Sequence, residues 1–316
     1  MKPSRAQQRS FDKTDPDLIF WVVVLALLAI RLVSWSSFQV PRVAHPVDDM
    51  LYLKLAQNWY WGYEYDFLAF VRRPGFPLWI ALWRFFGIPF AIVQQTAYAA
   101  SLFLLVLAAR RLGAPRPVAF AAFGLGLFHP LAIGVILRVT PDGLYTITAQ
   151  CILAFLGFWL SSRTAKSRCI FSALAGVGIG LLVITRDEQI VAFGFLTVVA
   201  CIFLTLRFFH SQHHPLVQSL VPCFAAFAVV VILVILANKR HFGVFAIGEF
   251  TSGGFSSAYQ AALSIPQEKE VKGVAITALG LEQVYLHSPS WALLADSMRS
   301  GAKPWSSGRT RKFFHR

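Results

Sequence analysis

Charge is what this sequence has least of. Only 14% of its 316 residues are charged while 56% are hydrophobic, and mean hydropathy is +0.59. Soluble domains carry roughly 25% charged and 45–50% apolar residues, so a water-soluble enzyme is excluded. The apolar residues fall in blocks about as long as a bilayer is thick, which also excludes disorder, coiled coil and collagen. Cysteine is nearly absent. Cys151, Cys169, Cys201 and Cys223 each lie in or at the end of an apolar block, where a free thiol behaves as a small hydrophobe, and no disulfide framework is expected. Zinc-like Cys/His spacing, internal repeats and low-complexity tracts are missing. Acids are the rarer charge: 15 against 29 Lys and Arg leave a net +14. Basic loops beside membrane spans follow from topology alone, so the excess reads as orientation and not as nucleic-acid binding.

A spanning helix needs about 20 mostly apolar residues, because lipid offers no partner to open backbone groups. Spans are predicted at 18–38, 88–109, 118–136 (broken at His129-Pro130), 144–160, 170–184, 190–206 and 216–237. That is an all-α polytopic bundle of about seven crossings. The short apolar stretch 76–86 carries Arg84 and reads as a surface or partly inserted helix. Residues 1–17 form a polar tail. The apolar run after them continues past Leu32 without a small-residue cleavage site, so it reads as a retained anchor.

Basic clusters set the sides. Lys2, Arg5, Arg9 and Lys13 share a face with Arg110, Arg111 and Arg116, with Arg163, Lys166 and Arg168, and with Arg207. The positive-inside rule places that face and the N-terminus in the cytoplasm of a cell (inner or plasma) membrane. The transmembrane domain is then 18–237, including an outer loop at 39–87, and 238–316 is an extracytoplasmic segment. Most remaining polar clusters fall on the outer face: Asp48-Asp49, Glu64 and Asp66, Arg72-Arg73, Arg138, Asp142, Arg186-Asp187-Glu188 and Lys239-Arg240. Ionisable residues beside spans are costly and mark function by default.

Three clusters could carry chemistry. Asp48 and Asp49 stand just ahead of a helix on which Tyr52, Leu55, Ala56 and Trp59 recur. They could cap it, serve as a general base whose pKa the neighbouring carboxylate raises, or share a divalent cation. Arg72 and Arg73 precede Pro74-Gly75-Phe76-Pro77, a turn that leaves two guanidiniums at the membrane surface. They could clamp a phosphate or snorkel to lipid headgroups. Arg186, oriented by Asp187 or Glu188, could reach the same space or simply pair with a carboxylate. Arg138 and Asp142 are supporting candidates, although Asp142 also fits a helix cap. His129 reads as hydrogen-bonded core, Arg31 as a snorkelling residue, and Trp59, Tyr60, Trp61, Tyr63, Tyr65 and Phe67 chiefly as an interfacial belt.

The order of these parts resembles the GT-C superfamily of polytopic glycosyltransferases, in the bacterial branch that includes aminoarabinose-transferring and protein mannosyltransferase-like enzymes. The likeness lies in Asp48-Asp49-Met-Leu-Tyr-Leu-Lys-Leu-Ala-Gln-Asn, Gly62 and Arg73-Pro-Gly-Phe-Pro-Leu-Trp-Ile-Ala-Leu. It is more diffuse around Thr140-Pro141-Asp142, Thr185-Arg186-Asp187-Glu188 and Phe250-Thr-Ser-Gly-Gly-Phe-Ser-Ser-Ala, and covers roughly residues 15–260. The resemblance implies a sugar taken from a polyprenyl-phosphate donor and passed to a lipid, protein or glycan acceptor at the outer leaflet. It assigns Asp48 or Asp49 as general base or metal holder, with Arg72 or Arg73 on the donor phosphate where relatives often carry lysine. Relatives usually have more spans and a longer C-terminal region, so the basic tail 301–316 carries the expectation of a truncated or reduced form. A transporter or flippase and a non-catalytic relative are the competing readings. Transporters often show internal symmetry and polar residues near the midplane; here polar residues gather at one face.

Overall fold

The computed structural model describes residues 16–36, 46–62, 72–186, 190–209, 218–248, 254–264, 276–293 and 295–296, and no strand occurs among them. The chain divides into two compact units, Met1–Gly243 and Val244–Arg316. The first holds α1 (Pro16–Ser36), α2 (Pro46–Gln57), α3 (Gly75–Phe85), α4 (Phe90–Arg111), α5 (Arg116–Phe128), α6 (Pro130–Ile136), α7 (Pro141–Ser161), α8 (Ala165–Thr185), α9 (Ile190–Phe209) and α10 (Val221–Phe242). The second holds α11 (Gly254–Leu263), α12 (Ala278–His287) and α13 (Pro289–Ala292). There, Thr277 and Ser288 cap α12 and α13 with their hydroxyls, accepting from the Gly280 and Trp291 amides.

Proline sets many of the boundaries. It occupies one of the first two positions of α5, α6, α7 and α10, where a missing N–H costs nothing. Gly243, at φ 74°, closes α10 in the left-handed conformation that glycine adopts freely. Among the described residues four helices are long and apolar enough to cross a membrane: α4, α7, α8 and α10. The pair α5–α6, bent by 50° at His129, makes a fifth if it counts as one span. Helices also occupy the places of the first and sixth predicted spans, with described apolar stretches at Val22–Arg31 and Ile190–Thr205.

Small residues decide how these helices pack. Between lipid-solvated helices there is little hydrophobic drive, so close backbone approach at Gly and Ala does the work. A Cβ built on Gly157 of α7 would lie 3.0 Å from the Ala108 Cβ of α4. On α8, a Cβ on Gly180 would come within 2.7 Å of Val230 on α10, and one on Gly176 would run into the Cys223 carbonyl. Gly178 turns the other way, 2.7 Å from Ile152 of α7. These contacts order the core as α4, α7, α8, α10.

The same contacts fix direction. Gly143 meets Gln94 and Gly157 meets Ala108, so α4 and α7 run parallel and α5–α6 must return between them. Gly178 meets Ile152 at mid-length, and the pairing of Arg186, just past α8, with Asp142 in the first turn of α7 makes α8 antiparallel to α7. Gly176 against Cys223 and Gly180 against Val230 make α10 parallel to α8, with α9 as the return. One end of the bundle therefore gathers the starts of α4 and α7, the ends of α8 and α10, and the docked helices α2 and α3. The opposite end carries Arg111 and the α7–α8 loop.

Two expectations need correction. Arg31 does not snorkel: it is 1% exposed, donates from Nε (3.1 Å) and Nη2 (2.7 Å) to Gln95 Oε1, and lies 5.4 Å over the Tyr98 ring. A polar partner on α4 replaces the headgroup it would otherwise seek. His129 is not core either. It is exposed, with an extended backbone (ψ 124°), at the break that Pro130 imposes.

Candidate functional site at one end of the bundle

Helix α2 begins at Pro46, so Asp48 and Asp49 belong to its first turn and do not stand ahead of it. Carboxylates there meet the positive end of the helix dipole. Asp49 is 5% exposed and shares its face with buried Tyr52 and Ala56; the side chain of Asp48 lies outside the described residues. That face packs on α3 through Phe76, Ile80 and Ala81, with Val139 and Leu144 completing the cluster. Tyr52 meets Phe76 edge-on at 5.1 Å.

After α2 the chain turns through Trp59 (φ 53°) and Tyr60 (φ 65°), both left-handed. Two bulky residues in that region persist only where their surroundings hold them. Tyr60 is fully buried. Its hydroxyl donates to the Arg72 carbonyl at 2.7 Å, its amide to Leu55 O at 2.8 Å, and its ring lies 5.9 Å from Phe242. Trp61 donates from Nε1 to Asn238 Oδ1 of α10 at 2.8 Å. Tyr60 and Trp61 are thus anchors of the loop rather than an interfacial belt, whereas Trp59 is exposed.

The two arginines of the next motif part company. Arg72 is half-buried, its guanidinium 5.8 Å over the Tyr52 ring, one turn from Asp49. Arg73 is 2% exposed and donates from Nη1 to the Val183 carbonyl. That carbonyl is among the last four of α8, which have no partner within the helix. Arg73 is therefore a C-terminal cap supplied from another segment, not a residue at the membrane surface. Gly75 belongs to the same joint: a Cβ there would sit 2.6 Å from Thr185 Oγ1 and 2.8 Å from the Ile184 carbonyl.

Arg186, just past α8, forms an ion pair from Nη1 to Asp142 Oδ1 and lies 5.6 Å over Tyr145. Asp142 is thus more than a cap. Thr140 occupies the cap position of α7 and makes no side-chain cap bond, while Asp142 in the first turn takes the arginine. The pair is partly exposed, at 26% and 41% of side-chain surface. The partner expected for Arg186 was Asp187 or Glu188; both lie outside the described residues, as do Glu64, Asp66, Tyr63, Tyr65, Phe67 and the tail 301–316. Arg138 is exposed, and Lys239 donates to the Gly243 carbonyl at 3.0 Å.

Asp49, Arg72, Arg73, Asp142 and Arg186 consequently share one end of the bundle, brought there by segments up to 110 residues apart in contact. Two cavities, of about 540 and 240 Å³, lie elsewhere: the first is walled by the α7–α8 loop and the second by α1 and α4. No three His, Cys, Asp or Glu among the described residues stand together as metal ligands. The divalent-cation expectation stays with Asp48 and Asp49.

Gln94 and Gln95 of α4 escaped the sequence reading. Gln94 is fully buried, accepts from Trp79 Nε1 at 3.1 Å, and faces Gly143 with its amide, joining α3, α4 and α7 beneath the cluster. A pair of glutamines inside an apolar run is itself the signal, since such amides are retained in spans only where they bond.

No family model, curated protein or solved structure matches the chain. Fold and site define a class: a helical membrane protein with paired charges and a buried carboxylate at one bundle end.

Proposed function

We propose that the protein is a membrane glycosyltransferase that moves a sugar from a polyprenyl-phosphate donor to a lipid, protein or glycan acceptor at the outer face of the cell membrane. The bundle then crosses about seven times, with the N-terminus in the cytoplasm. The observation that carries this reading is the convergence of Asp49 with Arg72 and Arg186 at one bundle end. A lipid-linked donor keeps its tail in the bilayer and its phosphate at headgroup depth. Transfer needs the acceptor hydroxyl to lose its proton as its oxygen bonds the anomeric carbon, while the bond from that carbon to the phosphate oxygen breaks. Asp49 or Asp48 takes the proton, and Arg72 stabilises the leaving phosphate. A guanidinium carries five N–H donors, so Arg186 can hold Asp142 and a phosphate oxygen together. Arg73 shapes the joint that presents Arg72.

The test is transfer by the full chain in vesicles containing a polyprenyl-phosphate sugar. Asp49→Asn and Asp48→Asn are measured singly and together, with expression and donor binding followed in parallel. Losing the base should lower transfer about 10²- to 10⁴-fold and leave donor binding intact. A double variant that turns over like the parent refutes the reading, and a silent parent favours a non-catalytic relative. A second reading, transport, draws on the 50° break at His129-Pro130 and on the buried Arg31–Gln95 pair within the spans. Uptake that survives Asp49→Asn but fails with Arg31→Leu would select it.

A further inference from the structure

The larger cavity lies at the opposite end of the bundle, away from Asp49. It has a volume of about 540 Å³ and is lined by Arg111, Ser161, Ser162, Arg163, Thr164, Ser167 and Phe171. Small-molecule sites run at about 300–1,000 Å³, so the hollow is large enough for more than a bare ion. Its chemistry is one-sided. The segments that build it contain no acid: of the 15 in the sequence, Asp142 alone falls between residues 67 and 186, and it is engaged at the other end.

Lys166 is exposed and lines no part of the hollow, and the four arginines here fall into two kinds. Arg110 donates to the Ala114 carbonyl at 2.7 Å and Arg168 to the Ser162 carbonyl at 2.9 Å, so both close their own loops. Arg111 and Arg163 instead face the hollow. Arg111 is fixed there by the Phe158 ring, 4.9 Å from its guanidinium carbon. The hydroxyls are ordered too. Ser162 donates to Phe158 O at 2.7 Å, and the Thr164 and Ser167 hydroxyls lie 2.9 Å apart, where either can donate to the other and the pair retains one proton for an outside acceptor. Beside the lining residues in sequence, Leu112, Leu160 and Ile170 are about half exposed or more (54%, 56% and 48%). A charged hollow whose chain neighbours are exposed apolar residues suits an amphiphile.

We infer that this hollow is a binding site for a phosphate ester, held by Arg111 and Arg163 with Ser167 as a hydroxyl donor, and that the exposed apolar residues next to it in the chain favour a phospholipid headgroup. Paired guanidiniums match phosphate oxygens in a fork, and hydroxyls complete the set. The inference rests on the helices lying in a membrane and is independent of sugar transfer. It differs from a diffuse basic surface because two named arginines, and not their neighbours, carry it.

The test uses the full chain in phosphatidylcholine nanodiscs with and without phosphatidylglycerol, reading retained lipid by native mass spectrometry. Arg111→Gln and Arg163→Gln should each weaken phosphatidylglycerol retention about ten-fold or more, as expected for loss of one charge-assisted hydrogen bond to phosphate. Arg116→Gln, a basic residue outside the hollow, should leave it unchanged. Equal retention by parent and both Gln variants, or an equal loss with Arg116→Gln, overturns the proposal. Inorganic phosphate sorts the source: displacement of the lipid from the parent identifies a site open to soluble phosphates, and failure to displace it identifies a headgroup site. Should Arg111→Gln misfold through loss of the Phe158 contact, Arg163→Gln and Ser167→Ala decide.

Discussion

Arg72 and Arg73 are adjacent and chemically identical, yet the structure assigns them separate work, and substitution can tell them apart. Arg73 is 2% exposed and bonds the Val183 carbonyl at the end of α8. A hydrogen bond from a charged donor contributes about 1.5–3 kcal/mol, and a cation at a helix C-terminus adds about 0.3–1 kcal/mol. Arg73→Ala should therefore cost about 3 kcal/mol. At about 2–4 °C per kcal/mol for a unit of this size, Tm falls by about 6–12 °C. Arg72 rests over Tyr52 at 5.8 Å, a cation–π contact worth about 0.5–1 kcal/mol where partly solvated. Loss of that ring contact alone accounts for about 2 °C of Tm. Thermal unfolding of the detergent-purified chain, followed by tryptophan fluorescence at one scan rate, measures both. Donor binding supplies the second axis: on the proposed function, Arg72→Gln should abolish it, whereas Arg73→Ala should act first on Tm. Equal Tm losses for the two arginines, or a silent Arg73→Ala, would refute the division of labour.

Other outcomes follow from particular contacts. Gly176→Leu should separate α8 from α10, because its side chain would occupy the Cys223 carbonyl; size-exclusion profiles should broaden, while Gly194→Leu, with open space around it, should behave as the parent. Exchanging charges in Arg186→Asp with Asp142→Arg should recover the Tm lost by either single change, and raised salt should shrink the loss, since the pair is partly solvated. Arg31→Leu leaves Gln95 Oε1 buried without its donor, a cost of about 1–3 kcal/mol that Gln95→Leu in the same chain should largely return. Tyr60→Phe removes the bond to the Arg72 carbonyl and should cost about 1 kcal/mol in the same Tm assay.

What the sequence disclosed was whatever depends on short-range pattern. The apolar lengths of α4, α7, α8 and α10 place four spans directly, and Pro-Gly-x-Pro after Arg73 announces the turn into α3. The clustering of charged motifs at one bundle end was legible from the alternation of spans. Pairings across the fold were not. Nothing local ties Arg186 to Asp142, 44 residues away, when Asp187 and Glu188 stand beside it. Arg31 illustrates the same limit: near a helix end, snorkelling is the default, and only the approach of α4 puts Gln95 within 2.7 Å of it. The start of α2 was readable and simply needed more weight on Pro46, a residue preadapted to the first helical position.

These pairings also explain why the charged end of the bundle is built as it is. A guanidinium near lipid must be hydrated, paired or bonded, and Arg72, Arg73 and Arg186 meet that demand differently. Arg73 satisfies a helix terminus, Arg186 takes a carboxylate, and Arg72 lies against an aromatic face. The first two arrangements fix the ends of α7 and α8. The third arrangement places Arg72 over the Tyr52 ring and not at a helix terminus. Asp49 stands one turn from the ring beneath it. A joint made by Arg73, Gly75 and Tyr60 therefore presents Arg72 over the Tyr52 ring, on the helix that carries the buried Asp49, and the proposed transfer draws on that placement.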